Sequence, residues 1–141
     1  METEEPKFIP RIQDELRRLM EGSKIAATLL KEGSCYYVKY HSVPTSGKNY
    51  GLPDTTDILV PVPDSYPTSA IDMPALPAAS VLITHVVGGS NPQGIRTADG
   101  QNWQVLSYHP YLNGGGLPWN PMVHGFHDYY NHVYTWLHRL I

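Results

Sequence analysis

The side chains best suited to chemistry fall between Trp103 and Pro121. Trp103-Gln104-Val105-Leu106-Ser107-Tyr108-His109-Pro110-Tyr111 runs into Leu112-Asn113-Gly114-Gly115-Gly116-Leu117 and then Pro118-Trp119-Asn120-Pro121. His109 is the titratable member, and histidine can act as a general base near neutral pH. It can equally be structural, hydrogen-bonding across a loop to fix its shape. Ser107 and Asn113 are the polar groups nearby. Ser107 is a poor nucleophile partner for His109 unless the backbone bends. Trp103, Tyr108, Tyr111 and Trp119 form either a binding platform or the core that supports the segment.

Two further sets have chemical spacing. His124, Asp128 and His132 recur every four residues, which places them on one face of a helix, with His127 beside them. Histidine and carboxylate at that spacing can hold a divalent transition metal, or can simply form a polar face. Cys35 is the single cysteine. It can form neither an internal disulfide nor a multi-cysteine zinc site, and with only Lys39 near it in sequence it is expected to be partly buried and inert. Gly114-Gly115-Gly116 lacks the leading strand and trailing Gly-Lys-Ser/Thr of a phosphate loop, so no cofactor is called for.

Elements must position these groups. Ile9, Ile12, Leu16 and Leu19 predict an amphipathic helix ending near Gly22, with Arg11, Asp14, Glu15, Arg17 and Arg18 on a solvated face. Residues 1–7 read as a flexible tail, and 8–141 as one domain. Strands are expected over Lys24–Lys31, Cys35–His41, Thr56–Val62 and Ser80–Val87, the first two joined as a hairpin through Glu32-Gly33-Ser34. Pro61 pushes the end of the third towards a sheet edge. Residues 68–79 and Gly88–Asn102 read as irregular, as does the long segment from Trp103. Pro121 or Met122 should start a last helix, whose stripe Val123, Phe126, Tyr130, Val133, Leu137 and Leu140 packs on the sheet. The predicted class is α+β: an N-terminal helix, a four-stranded antiparallel meander, a long irregular loop and a C-terminal helix packed on the sheet.

Composition narrows the function classes. The chain has 141 residues and a net charge of −3, with both signs dispersed. The absence of a basic stripe argues against nucleic acid. No apolar run is long enough to span a bilayer, and the acidic Glu2, Glu4 and Glu5 do not resemble a signal peptide, so a cytoplasmic protein is expected.

The order of these elements, with their motifs, resembles the ubiquitin-conjugating (E2, UBC) fold. Arg11-Ile12-Gln13-Asp14-Glu15-Leu16 is similar to its opening helix. Pro63-Asp64-Ser65-Tyr66-Pro67 is similar to the Tyr-Pro turn after its third strand. His109-Pro110-Tyr111 resembles the His-Pro-Asn motif, and Trp119-Asn120-Pro121 the Trp-x-Pro before the following helix. The nearer resemblance is to prokaryotic E2 family E, through Tyr66-Pro67, Asp72-Met73, Pro92-Gln93, Trp103-Gln104, Ser107, His109 and Trp119-Asn120-Pro121. It implies a bacterial ubiquitin-like modification pathway, with a role in antiphage defence. Its partners would be a ubiquitin-like protein, an E1-like adenylating enzyme and a JAB-type peptidase.

An E2 needs a cysteine shortly after His-Pro-Asn to carry a thioester, and none stands in Gly116–Trp119. The oxyanion-stabilising Asn is replaced by Tyr111. The resemblance therefore implies a cysteine-free binding module, or alternatively an enzyme with a non-cysteine acyl-transfer site near His109 or a helix-borne metal. The residues assigned are His109 for any catalysis and Trp103, Tyr111, Asn113 and Trp119 for partner binding. No metal is assigned, His124, Asp128 and His132 being the set with ligand spacing.

Overall fold

Residues 6–111 and 118–141 are described by a computed structural model. Helix α1 spans Phe8–Ser23 and buries Phe8, Ile9, Ile12, Leu16 and Leu19, the apolar face expected from the spacing. It ends where Lys24 turns left-handed, at φ 59°, and the Lys24 amide donates to the Met20 carbonyl. The described residues then form strands β1 (Ala27–Glu32), β2 (Cys35–Pro44), β3 (Thr55–Pro61), β4 (Ala75–Pro77), β5 (Pro92–Ala98) and β6 (Gln101–Leu106), and helix α2 (Phe126–Leu137). The strands make one antiparallel sheet in the order β1-β2-β3-β4-β6-β5. The chain is thus α+β, a helix on each side in sequence of a six-stranded antiparallel sheet.

The sheet departs from the predicted four-stranded meander in three places. Ser80–Val87 is not a strand. Ser80 caps a 3-10 turn over Val81–Thr84, its hydroxyl accepting from the Leu82 amide, and Val81 is exposed while Leu82 and Val86 are buried. Residues 75–77, expected to be irregular, form the short β4. Gly88–Asn102, also expected to be irregular, contains β5 and leads into β6. Asp99 and Gly100 both have positive φ, 54° and 74°, and close a two-residue hairpin whose register begins Ala98↔Gln101. Such angles define the turn that matches strand twist, and Asp-Gly favours it. Trp103–Leu106 is consequently strand rather than loop. Pro61 ends β3, which lies between β2 and β4. β4 meets β3 only at Leu59↔Ala75, so the missing proline amide has no ladder partner to disappoint on that side.

Alternation along the strands sorts residues onto two faces. Val38, Tyr40, Ile58, Val60 and Leu76 pack under the helices with Ile12, Leu16, Tyr129, Val133, Trp136 and Leu137. On the opposite face Tyr37, Leu59, Ala75, Ala98, Trp103 and Val105 make a smaller core. Here the β5–β6 hairpin folds back over the sheet. Its tip residue Asp99 accepts from the Lys39 ammonium at 2.5 Å, and its amide donates to Glu32 Oε1 at 3.2 Å. Lys39 is largely buried, 5.7 Å from the centre of the Trp103 ring.

The last helix starts later than predicted. Pro121–Val123 is a turn, in which the Asn120 side chain accepts from the Met122 amide and its carbonyl from the Val123 and His124 amides. Gly125, extended at φ −173°, then caps α2. Val123, the first member of the predicted stripe, is 58% exposed, whereas Phe126, Tyr130, Val133, Leu137 and Leu140 are buried as expected. Among the described residues no helix is long and apolar enough to cross a membrane.

Candidate functional site

Helix α1 frames the region around Trp119. Glu15 was expected on a solvated face, yet it is 3% exposed. Its Oε1 accepts from the Tyr66 hydroxyl at 2.6 Å and from the Phe126 amide at 3.1 Å. Its Oε2 accepts from Arg11 Nε at 2.8 Å. Arg11 also donates from Nη2 to the His124 carbonyl at 2.7 Å. One carboxylate thus satisfies an orphan donor at the start of α2 and ties the Tyr66 loop to it. Burial, and then the carboxylate it donates to, push the Tyr66 hydroxyl pKa up, so it remains a donor.

The Tyr66 loop and the Trp119 segment meet above this network. The Tyr66–Pro67 peptide is cis, and Trp119 Nε1 donates to the Pro67 carbonyl at 2.8 Å. Trp119 stands edge-to-face with Tyr111, ring centres 4.9 Å apart, and leans on Tyr66 at 6.1 Å. Motif residues more than fifty positions apart therefore share one aromatic cluster. Tyr111 is enclosed, its ring also against His132 and His124. Its hydroxyl has no hydrogen-bond partner among the described residues, and burial, with Asp128 next, raises its pKa.

His109 pairs with a residue to which spacing assigned no role. Its Nδ1 lies 2.5 Å from Asp72 Oδ1, and the Tyr129 hydroxyl donates to the Asp72 carbonyl. The His109 side chain is 30% exposed. A carboxylate on Nδ1 orients the imidazole and leaves Nε2 available, the arrangement that a general base requires. Asp72, Thr68, Ser69, Tyr111 and Trp119 line a cleft of about 380 Å³ beside it. Ser107 is engaged elsewhere: its hydroxyl accepts from the Asn91 amide, and its own amide donates to the Asn91 carbonyl. It acts as a clasp between strand ends.

The other assigned residues separate. Trp103 is fully buried on the opposite sheet face, with its Nε1 donating to the Ala98 carbonyl at 3.0 Å. It anchors the β5–β6 hairpin and presents no surface. Asn113, with Gly114–Gly116, lies outside the described residues. His124 lies ahead of the helix, before its cap Gly125, so only Asp128 and His132 of the three stand on one helical face. The ring Nδ1 of His124 accepts from the Asn120 amide at 2.9 Å. Among the described residues no group of three His, Cys, Asp or Glu side chains is placed to hold a metal ion. Burial, and then His124, lower the pKa of His132, against the pull of Asp128. Cys35, expected to be partly buried, is exposed at the first residue of β2. It lines a second groove that also includes Asp72.

Two residues carry the site without having been assigned to it. Asp72 stands 37 positions from His109, a separation at which no local pattern pairs them. Glu15 was detectable: it lies three residues after Ile12 and four before Leu19, inside the apolar stripe rather than opposite it. Comparison with protein-family models, curated proteins and solved structures finds no match to this chain.

Proposed function

We propose that this chain is an E2-like, cysteine-free component of a bacterial ubiquitin-like modification pathway, serving as a binding module for a ubiquitin-like protein or an E1-like enzyme. The observation that carries the reading is the preformed surface at residues 118–123. Trp119 is fixed from beneath by Pro67 and Tyr111, and the following turn holds Met122 and Val123 at 86% and 58% exposure. Arg11 pins the end of that turn through the His124 carbonyl. Adjacent apolar side chains held in solvent by a rigid base mark an interaction surface. The helix–sheet–helix order and the meeting of the Tyr-Pro and Trp-x-Pro segments agree with the E2 resemblance. Tyr111 supports this surface from within and Trp119 lies in it, whereas Trp103 is buried on the opposite face of the sheet.

Calorimetric titration against the E1-like and ubiquitin-like proteins of the pathway tests this reading. Met122→Asp with Val123→Asp should abolish binding while the melting temperature stays within a few degrees. Equal affinity of that variant and the parent for every partner would end the proposal.

The Asp72–His109 pair favours a second reading, a non-cysteine acyl-transfer site near His109: the histidine takes the proton of an attacking hydroxyl, an oxyester forms, and the thioester to the E1-like enzyme breaks with its thiolate leaving. Incubation with ATP, the E1-like enzyme and the ubiquitin-like protein would then give an adduct that survives thiol, is cleaved by base, and disappears in His109→Ala and Asp72→Asn. A pure binder gives no adduct.

A further inference from the structure

The folded-back β5–β6 hairpin leaves a groove of about 550 Å³ between β5 and the far wall made by β2 and the end of β3. Its size suits a ligand of a few residues or a small molecule. Three features of its lining point to one class of occupant. First, β5 is an edge strand, paired only with β6, and Pro92–Thr97 are exposed along it. Its outer backbone groups are open to a further strand. Second, Arg96 on β5 faces this groove. Among the described residues it is in no ion pair within 4.0 Å, and its only side-chain bond is a long one, 3.4 Å to the Tyr37 hydroxyl. An unpaired guanidinium beside a phenol is a ready site for a carboxylate. Third, Val62, Met73, Ile95 and Val105 supply apolar contacts, while Asp64 and Asp72 supply negative charge.

We propose that this groove binds a short extended peptide segment that ends in a free C-terminal carboxylate and carries a basic side chain. The segment adds as a strand to the outer edge of β5, its carboxylate on Arg96 and Tyr37, its basic residue towards Asp64 and Asp72. Two features favour a short guest over a second copy of this chain. Pro92 and the register shift at Gly94 restrict the pairing run to its last residues. Antiparallel pairing of two β5 edges would also bring two Arg96 side chains close together, which like charge opposes. The proposal does not rest on the ubiquitin-like reading, since the groove lies on the sheet face away from Met122 and shares only Asp72 with the His109 cleft.

The experiment selects on the immobilised full chain from two random-sequence hexapeptide libraries, one with free C-terminal carboxylates and one with C-terminal amides. The expected result is retention from the carboxylate library alone, with Lys or Arg enriched. Retained peptides, titrated by calorimetry, should lose at least tenfold in affinity on amidation, on N-methylation of alternate backbone amides, and against Arg96→Gln at unchanged melting temperature. Their amide chemical-shift changes should cluster at residues 92–98. Equal retention of both libraries, no retention from either, an unaffected Arg96→Gln affinity, or shifts centred on α1 would each overturn the proposal.

Discussion

Glu15 joins three parts of the chain, and its replacement shows how much that junction is worth. In Glu15→Ala the Tyr66 hydroxyl and the Phe126 amide both lose their acceptor, and both are buried. A buried donor left unpaired costs roughly 1–3 kcal/mol. Two such donors give about 2–6 kcal/mol, before counting the Arg11 guanidinium, which loses its carboxylate but stays partly solvated. For a domain of this size each kcal/mol moves Tm by roughly 3–5 °C, so the variant should melt well below the parent or fail to fold. Glu15→Gln separates hydrogen bonding from charge. Both donors bond the same oxygen, which a glutamine carbonyl can replace, while its amide would face Arg11. The expected cost is smaller, about 1–2 kcal/mol.

Urea unfolding of parent, Glu15→Gln, Glu15→Ala and Tyr66→Phe, with the Glu15→Gln/Tyr66→Phe double variant, measures these terms and their coupling. The same junction can be strained from the other side. A Cβ on Gly125 would collide with the Glu15 carboxylate, so Gly125→Ala must displace that group and should cost about 1–3 kcal/mol. Loss of this penalty in a Glu15→Gln background would not be expected, since glutamine fills the same space. The reasoning is refuted if Glu15→Ala costs under 1 kcal/mol, or if Glu15→Gln costs as much as Glu15→Ala.

Three other outcomes follow from the geometry. His132 has a depressed pKa in the fold, so the unfolded chain binds more protons between that pKa and about 6.5; stability should therefore fall as pH drops below about 6.5, and His132→Gln should flatten that fall in urea titrations at pH 7 and pH 5. Trp119 is half-buried but keeps a hydrogen bond and three aromatic contacts, so Trp119→Ala should cost about 2–3 kcal/mol by thermal melting, less than for an enclosed tryptophan. Cys35 is exposed and lies outside the Trp119 surface, so Cys35→Ala should leave conjugation intact in the reconstituted pathway, and loss of conjugation with the fold preserved would contradict the binding-module reading.

Periodicity reveals whatever is repeated along the chain. The stripe of α1 and the later members of the α2 stripe were legible because each turn of helix repeats the burial of the last. The β1–β2 hairpin was legible through alternation across Gly33. Ser80–Val87 misled for the same reason: Val81, Ile83 and Val87 alternate as a strand should, but the Ser80 hydroxyl competes for the Leu82 amide and closes a turn instead. The β5–β6 hairpin had its own local signal in Asp99-Gly100, flanked by residues of moderate β-propensity. Its strands were obscured because β5 is an edge strand exposed at nearly every position, so no buried face imposes period two. Trp103, one of the largest side chains, joins that hairpin to the sheet without any neighbouring pattern to announce it.

The site itself is built from separations that no period records. His109 meets Asp72 across 37 residues, Trp119 meets Pro67 across 52, and Glu15 meets Phe126 across 111. These contacts depend on the packed fold, in which the sheet sets β3 against β4 and β4 against β6 and α1 lies beside α2. That packing buries polar groups, and a buried donor or acceptor must find a partner wherever the fold supplies one. This is why polar residues inside apolar stripes, Glu15 above all, are informative: burial of such a group predicts a long-range partner even when the sequence does not say which. Asp72 lacks that clue because it is exposed, and although the family resemblance runs through Asp72-Met73, its pairing with His109 appears only in three dimensions. It borders both the His109 cleft and the β5 groove. A guest residue drawing on its carboxylate from the groove would compete with His109 for it, which would make occupancy on one face of the sheet felt by the histidine at its end.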